Sequence, residues 1–319
     1  MTYSVNGLIE ASDYNLFNGG SSGVSVSGQL NSVWGIGNGD NGYGQTTGAN
    51  VSIGNNVTAS QWATLINNLN NARKHQNGAY TNLTAPVTGN RVDFISTLSS
   101  RLTDAYTNRL SWNNRGTTIT GSNDVNTFGE VIDTNEFNTS RTATITFGSS
   151  DQTRYFFNAG GQLRFFCVAT DSAGTDRSNV LKNVIGLTGF PTGLKEFAFN
   201  ANDSNGDGPV QYTSRDLTKG YYQSNYGAGI SGFQAIGILY AGAPYGTTYA
   251  QIVFDAGSSD TTRGSKGNIV RFRLNMYAPA DPGGGSIIIT TTIRVDIAPP
   301  STNYLSNSWG TPSITYSTP

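Results

Sequence analysis

The sequence predicts a mainly β protein with a small α part: an N-terminal glycine-rich loop and helical hairpin, followed by antiparallel β-sandwich-like domains. Three observations carry this expectation. Short β-branched and aromatic runs, bounded by Gly, Asn, Asp and Pro, recur beyond residue 117. Two segments between residues 58 and 112 instead repeat apolar residues at helical spacing. Composition agrees: of 319 residues, 12% are charged, 11% are aromatic and 40 are glycine. Such a mix favours turns and hydrated strands, and a net charge of −1 with many aromatics is unlike the profile of a disordered chain. The length exceeds one average domain. The change of character suggests a glycine-rich and helical assembly region at 1–116, a first β region at 117–200 and a C-terminal β domain at 201–319.

From the N-terminus, Thr2–Ile9 is expected as a strand and Val24–Ser27 as a short alternating one. Trp34–Gln45 has five glycines in twelve residues, which leaves few regular backbone options. The first helix has clear edges. Thr58 is a candidate N-cap with Gln61 three residues on, a capping box, and Val57 and Trp62 occupy the staple positions. Trp62, Leu65, Ile66 and Leu69 form its apolar face, and Gly78 is the expected stop. A second helix is expected from near Asn90. Its seam runs Ile95, Leu98, Leu102, Ala105, Arg109 and Trp112, interrupted by Arg109. This seam suits a hairpin folded back on the first helix, or a contact with further copies of the chain.

The β part begins with strict alternation over Arg141–Phe147. Tyr155–Phe166 has aromatic runs flanking Asn-Ala-Gly-Gly and reads as a β-hairpin. Further strands are expected at 194–199, 232–240, 248–255, 268–277, 286–297 and 313–316. The pair 268–277 and 286–297, joined by a Pro/Gly loop, reads as another hairpin, with Ile287–Ile289 in a central strand. Arg271 and Arg273 alternate with Val270, Phe272 and Leu274, which predicts one wet face.

The charge balance argues against nucleic acid as a partner, since phosphate contacts need clustered Lys and Arg and no basic run exists. No stretch reaches the ~18 apolar residues of a membrane span, so membrane insertion is not expected. The N-terminus lacks the basic and apolar regions of a secretory signal, which implies folding in a cytosol. The single Cys167 excludes an intrachain disulfide and reads as a buried small hydrophobe.

Candidate chemistry is sparse. Gly37–Gly42 matches G-x-G-x-x-G, but no helix is expected to start within it, as a dinucleotide fold requires. Gly19–Gly23 matches G-x-S-x-G without a buried strand before it. The only histidine, His75, lies near a helix end, where a positive charge would favour the helix dipole. Asp203, Asn205 and Asp207 match the start of a calcium loop, although Ser214 stands where a bidentate Glu is expected. The alternative is a plain turn, and no other cofactor is expected. Of the four glutamates, Glu130 and Glu136 lie close together, in a stretch without catalytic context, so an enzyme is not expected. Tyr221, Tyr222 and Tyr226 could stack on sugars or serve an interface.

Three motifs occur in order: Trp34-Gly-Ile-Gly-Asn-Gly-Asp-Asn-Gly-Tyr-Gly-Gln45, the helix Trp62 to Gln76 with its Arg73-Lys-His-Gln end, and Phe157-Asn-Ala-Gly-Gly-Gln-Leu-Arg164. Together they resemble virion structural proteins of tailed bacteriophages, including those infecting cyanobacteria. The resemblance spans about residues 1–170. It implies a tail, baseplate or fibre component, assembled in the host cytoplasm and located in the virion. Its partners would be copies of itself and other virion proteins. The interface candidates are Trp34, Trp62, Ile95, Leu98, Leu102 and Trp112. A receptor-binding module for host-surface glycans is the alternative, and a polysaccharide-degrading tail enzyme a third reading.

Overall fold

The computed structural model describes residues 10–19, 26–37, 41–76, 81–89, 95–112, 116–130, 135–171, 173–186, 196–200, 234–240, 247–255, 268–283 and 285–318. Five helices lie among them: α1 (Ala11–Asn18), α2 (Ala59–His75), α3 (Ile95–Thr107), α4 (Ser150–Asn158) and α5 (Asp176–Gly186). Nine strands accompany them: β1 (Asp124–Glu130), β2 (Phe137–Thr146), β3 (Gln162–Asp171), β4 (Glu196–Asn200), β5 (Gln234–Tyr240), β6 (Tyr249–Asp255), β7 (Ile269–Ala278), β8 (Ile287–Ala298) and β9 (Ser313–Ser317). They form two antiparallel sheets, ordered β1-β8-β3-β4 and β5-β6-β7-β2-β9.

Alternation places the strands. Along β7, and along β8 as far as Val295, every second residue is buried, so each sheet turns one apolar face inward. The faces meet: Phe165 of β3 stacks on Phe272 of β7 at 5.5 Å between ring centres. Arg271 and Arg273 lie on the half-exposed face of β7, and β8 is central, paired on both sides as Ile287–Ile289 predicted.

The expected hairpin of 268–277 with 286–297 does not form. β7 and β8 lie in different sheets, so the Pro/Gly connection crosses from one sheet to the other. Arg177 of α5 holds this crossing by donating to Pro279 O at 2.6 Å and Asn135 O at 2.5 Å, and Thr175 Oγ1 donates to Ser286 O at 2.5 Å. The boundary drawn at residue 200 also fails. β8 sits between β1 and β3, and β2 between β7 and β9, so both sheets mix strands from 117–200 and 201–319. A single apolar core extends from Ala11 to Trp309 and includes the helices of the N-terminal region.

The Tyr155–Phe166 segment is not a β-hairpin either. Ser149 Oγ accepts from Gln152 N at 3.1 Å and starts α4. Tyr155, Phe156 and Phe157 are buried on this helix. Gly160 N donates to Phe157 O at 3.1 Å and Gly161 N to Phe156 O at 2.8 Å, with Gly160 at φ +97°. This is a Schellman stop, so the glycines end a helix before β3 begins. Aromatic strand propensity is overridden because Thr153–Asn158 of α4 are buried all round, and a helix so buried also favours aromatics.

In the N-terminal region α2 begins as predicted, with Thr58 and Gln61 in a reciprocal capping box. It ends at Gln76, in extended conformation; the expected stop Gly78, and Asn90 at the expected start of the second helix, lie outside the described residues. α3 packs on α2: Arg73 Nη1 donates to Asp104 O at 3.2 Å and Gln76 Nε2 to Ala105 O at 2.9 Å. The expected strand at 2–9 lies outside the described residues; Val26–Gly28 is a 3-10 turn where the end of a strand was expected. A second such turn spans Leu30–Ser32.

Candidate functional site

The three sequence motifs, whose joined residues lie up to 116 positions apart in the chain, meet in one buried polar junction. Tyr43, from the glycine-rich loop, is its centre. The Tyr43 hydroxyl donates to Arg109 O at 2.7 Å and accepts from Gln76 Nε2 at 3.0 Å. Burial pushes its pKa well above the usual tyrosine value, so it stays a neutral donor. His75, from the end of α2, lies edge-on to the Tyr43 ring at 5.4 Å. Its Nε2 donates to Ala159 O at 2.9 Å, within the third motif. Asn158 Nδ2 donates to Gly42 O at 2.9 Å, and Trp112 Nε1 donates to Asn158 O at 2.8 Å. The loop, the helix end and the turn after α4 thus hydrogen-bond one another in a ring.

Glycines allow the close approach. A Cβ on Gly160, already at φ +97°, would lie 2.7 Å from the Trp112 ring. A Cβ on Gly44 would collide with the ring of Tyr155. Arg154 of α4 anchors the loop from below. It is fully buried and donates to Ile36 O at 2.8 Å, to Asn41 O, and to Asp151 Oδ1 at 2.8 Å. Gln45 ties the same loop to the C-terminal part of the chain: its Nε2 donates to Ser306 O at 3.0 Å and its Oε1 accepts from Ser306 N at 2.7 Å. Ser308 Oγ donates to Tyr43 O at 2.8 Å.

His75 departs from the sequence expectation. It is 2% exposed, its Nδ1 has no hydrogen-bond partner, and burial lowers its pKa to about 4. A neutral imidazole donating from Nε2 fits this site; a charged helix cap does not, because desolvation outweighs the helix dipole. The interface candidates are also placed differently. Trp34, Trp62, Ile95, Leu98 and Leu102 are at most 6% exposed within the single chain, so the chain's own core has used their surface. Trp112 is half-buried in the junction.

The remaining candidates stay apart. Gly37 and Gly42 lie in an irregular loop, and Gly19 ends α1. Glu136 is exposed and accepts from Tyr277 Oη at 2.9 Å. Cys167 is buried in β3, which pushes its thiol up to about 12. Asp203, Asn205 and Asp207, with Tyr221, Tyr222 and Tyr226, lie outside the described residues. Among the described residues no group of three His, Cys, Asp or Glu side chains is arranged to hold a metal, and no helix is long and apolar enough to cross a membrane. Sequence reasoning missed Arg154, Ser306 and Ser308. Arg109 carried a signal, as the charge interrupting an apolar seam: its Nε donates to Asn41 Oδ1 at 3.1 Å. Comparison of the chain with family models, with curated proteins and with solved structures finds no match.

Proposed function

We propose that the chain is a structural component of a phage virion, in the tail, baseplate or tail fibre, acting through subunit–subunit interfaces rather than by catalysis. The observation that carries this reading is the junction. The segments that resemble virion proteins hydrogen-bond one another, and their distinctive side chains are spent in doing so. Residues used this way fix a shape, and a fixed shape presented to neighbours is what a building block requires.

The finer architecture assigned here is a β-sandwich, with the helical hairpin and glycine-rich loop fastened to it through the junction. Contact with other copies then falls to the outer surfaces. On the outer face of β1-β8-β3, Val125, Thr292 and Val168 form one row across the sheet, with Val125 59% and Val168 44% exposed. That row is uncharged, and a net charge of −1 gives copies little mutual repulsion.

Immunogold labelling of purified virions with an antibody to this chain tests the reading. Gold on the tail, baseplate or fibres is expected. A chain found only in the soluble lysate, and monomeric by native mass spectrometry, would overturn it.

A further inference from the structure

We infer that the N-terminal region carries a binding cleft for a neutral, polyhydroxylated ligand of the saccharide class. The cleft has a volume of about 460 Å³ and opens between the end of α1, the turn at Leu30–Ser32 and the extended segment Gly44–Asn50. This volume lies within the range of small-ligand sites.

Its lining selects the ligand class. Carboxamides come from Asn18, Asn31, Gln45 and Asn50, and hydroxyls from Thr46 and Thr47. No ionisable side chain lines the cleft among the described residues. A charged ligand would lose hydration there without meeting an opposite charge, and an apolar one would strip water from amides. Sugar hydroxyls donate and accept, as carboxamides and threonine hydroxyls do. Ile36, 55% exposed on the same cleft, offers an apolar contact for the C–H face of a sugar ring.

The second observation is unspent hydrogen-bonding capacity. Asn18 is 3% exposed, and its Nδ2 donates to Gly48 O at 2.6 Å and Asn50 Oδ1 at 3.0 Å. Those two acceptors fix the orientation of the amide, since reversing it would set oxygen against oxygen. Asn18 Oδ1 is then a buried acceptor with no partner. Among the described residues, the side chains of Asn31 and Thr47, and Nδ2 of Asn50, likewise take no hydrogen bond. Gln45 differs, because its amide is committed to Ser306 and Ser308 and serves only as wall.

The test is a nuclear magnetic resonance titration of the nitrogen-labelled full chain with glucose, galactose, N-acetylglucosamine and lactose. At least one sugar should shift the side-chain amides of Asn31 and Asn50 and the backbone of 44–50 saturably, with millimolar affinity. Thr47→Trp, which fills the cleft with an indole, should abolish the shifts. Asn50→Asp keeps the acceptor for Asn18 and removes the free donor; should Thr47→Trp disturb the fold, this variant should weaken binding about tenfold, the loss of one good hydrogen bond. Cleft resonances unmoved by every sugar, shifts unchanged in both variants, or shifts that follow only protein concentration would each overturn the inference. The last result would mean that another copy of the chain fills the cleft. Because the titration uses the isolated chain, its failure leaves the virion assignment untouched.

Discussion

Acidification should destabilise the chain through one side chain, His75. It is the only histidine, so few other groups titrate between neutrality and the carboxylate range. Burial lowers its pKa from 6.5 to about 4, because the charged form would be desolvated with no acceptor for Nδ1. A folded pKa below the unfolded one means that the unfolded chain binds the proton first. The stabilising contribution is therefore complete above pH 6.5, declines as pH falls from 6.5 toward 4, and is gone below that. The full difference corresponds to about 3 kcal/mol, of which about 2 kcal/mol is lost between roughly pH 7 and pH 5. The assay is urea unfolding across this range, with His75→Gln as the reference. The variant keeps an amide donor for Ala159 O and removes the titration, so subtracting its curve cancels every other group. The wild type should lose about 2 kcal/mol relative to it on going from about pH 7 to pH 5. Parallel curves for the two proteins would refute the claim that the imidazole is held neutral in the junction.

Three further outcomes follow from the same geometry. Gly160→Ala should destabilise by about 2 kcal/mol or more, combining positive-φ strain with a clash against Trp112, whereas Gly54→Ala, at φ +89° with nothing within 4 Å, should cost only about 1 kcal/mol; urea midpoints measure both. Arg154→Met should cost about 3 kcal/mol by the same measurement, because it removes the charge-assisted hydrogen bonds of a fully buried guanidinium to the Ile36 and Asn41 carbonyls and its ion pair with Asp151. Cys167 should resist thiol reagents in the folded protein and react at the ordinary rate in urea, since burial raises its pKa to about 12 and closes access.

Local signals in the sequence were read most faithfully where one principle dominated. Thr58 and Gln61 marked the start of α2 because a capping box depends on four residues. Strict alternation marked β2, and β7 with its wet Arg271 and Arg273, because one face of each is buried. Asn158-Ala-Gly-Gly was misread because glycine after an aromatic run serves a hairpin turn or a helix stop equally well. What decides is Ser149, nine residues upstream of Asn158, acting as an N-cap. Pairing was not legible at all. The Pro/Gly loop after β7 permits a hairpin, but the sheet that β8 joins is set by its fit between β1 and β3. The junction shows the same limit: Tyr43, Gln76 and Asn158 stand out as motif residues, yet the contacts of Gln45 with Ser306 and Ser308 span most of the chain. Histidine at a helix end was read as a charge because sequence shows the dipole and not the burial.

Native-state hydrogen exchange tests most directly whether the three motifs form one structural unit. The backbone amides of the loop at 43–45, of α2 at 72–76 and of the turn at 159–161 donate hydrogen bonds that depend on the junction. They should exchange with a common opening free energy. Tyr43→Phe removes the hydroxyl shared by Arg109 O and Gln76, and should lower that free energy at all three segments together, by about 2 kcal/mol. Three unrelated opening energies, or a loss confined to the glycine-rich loop, would contradict the account.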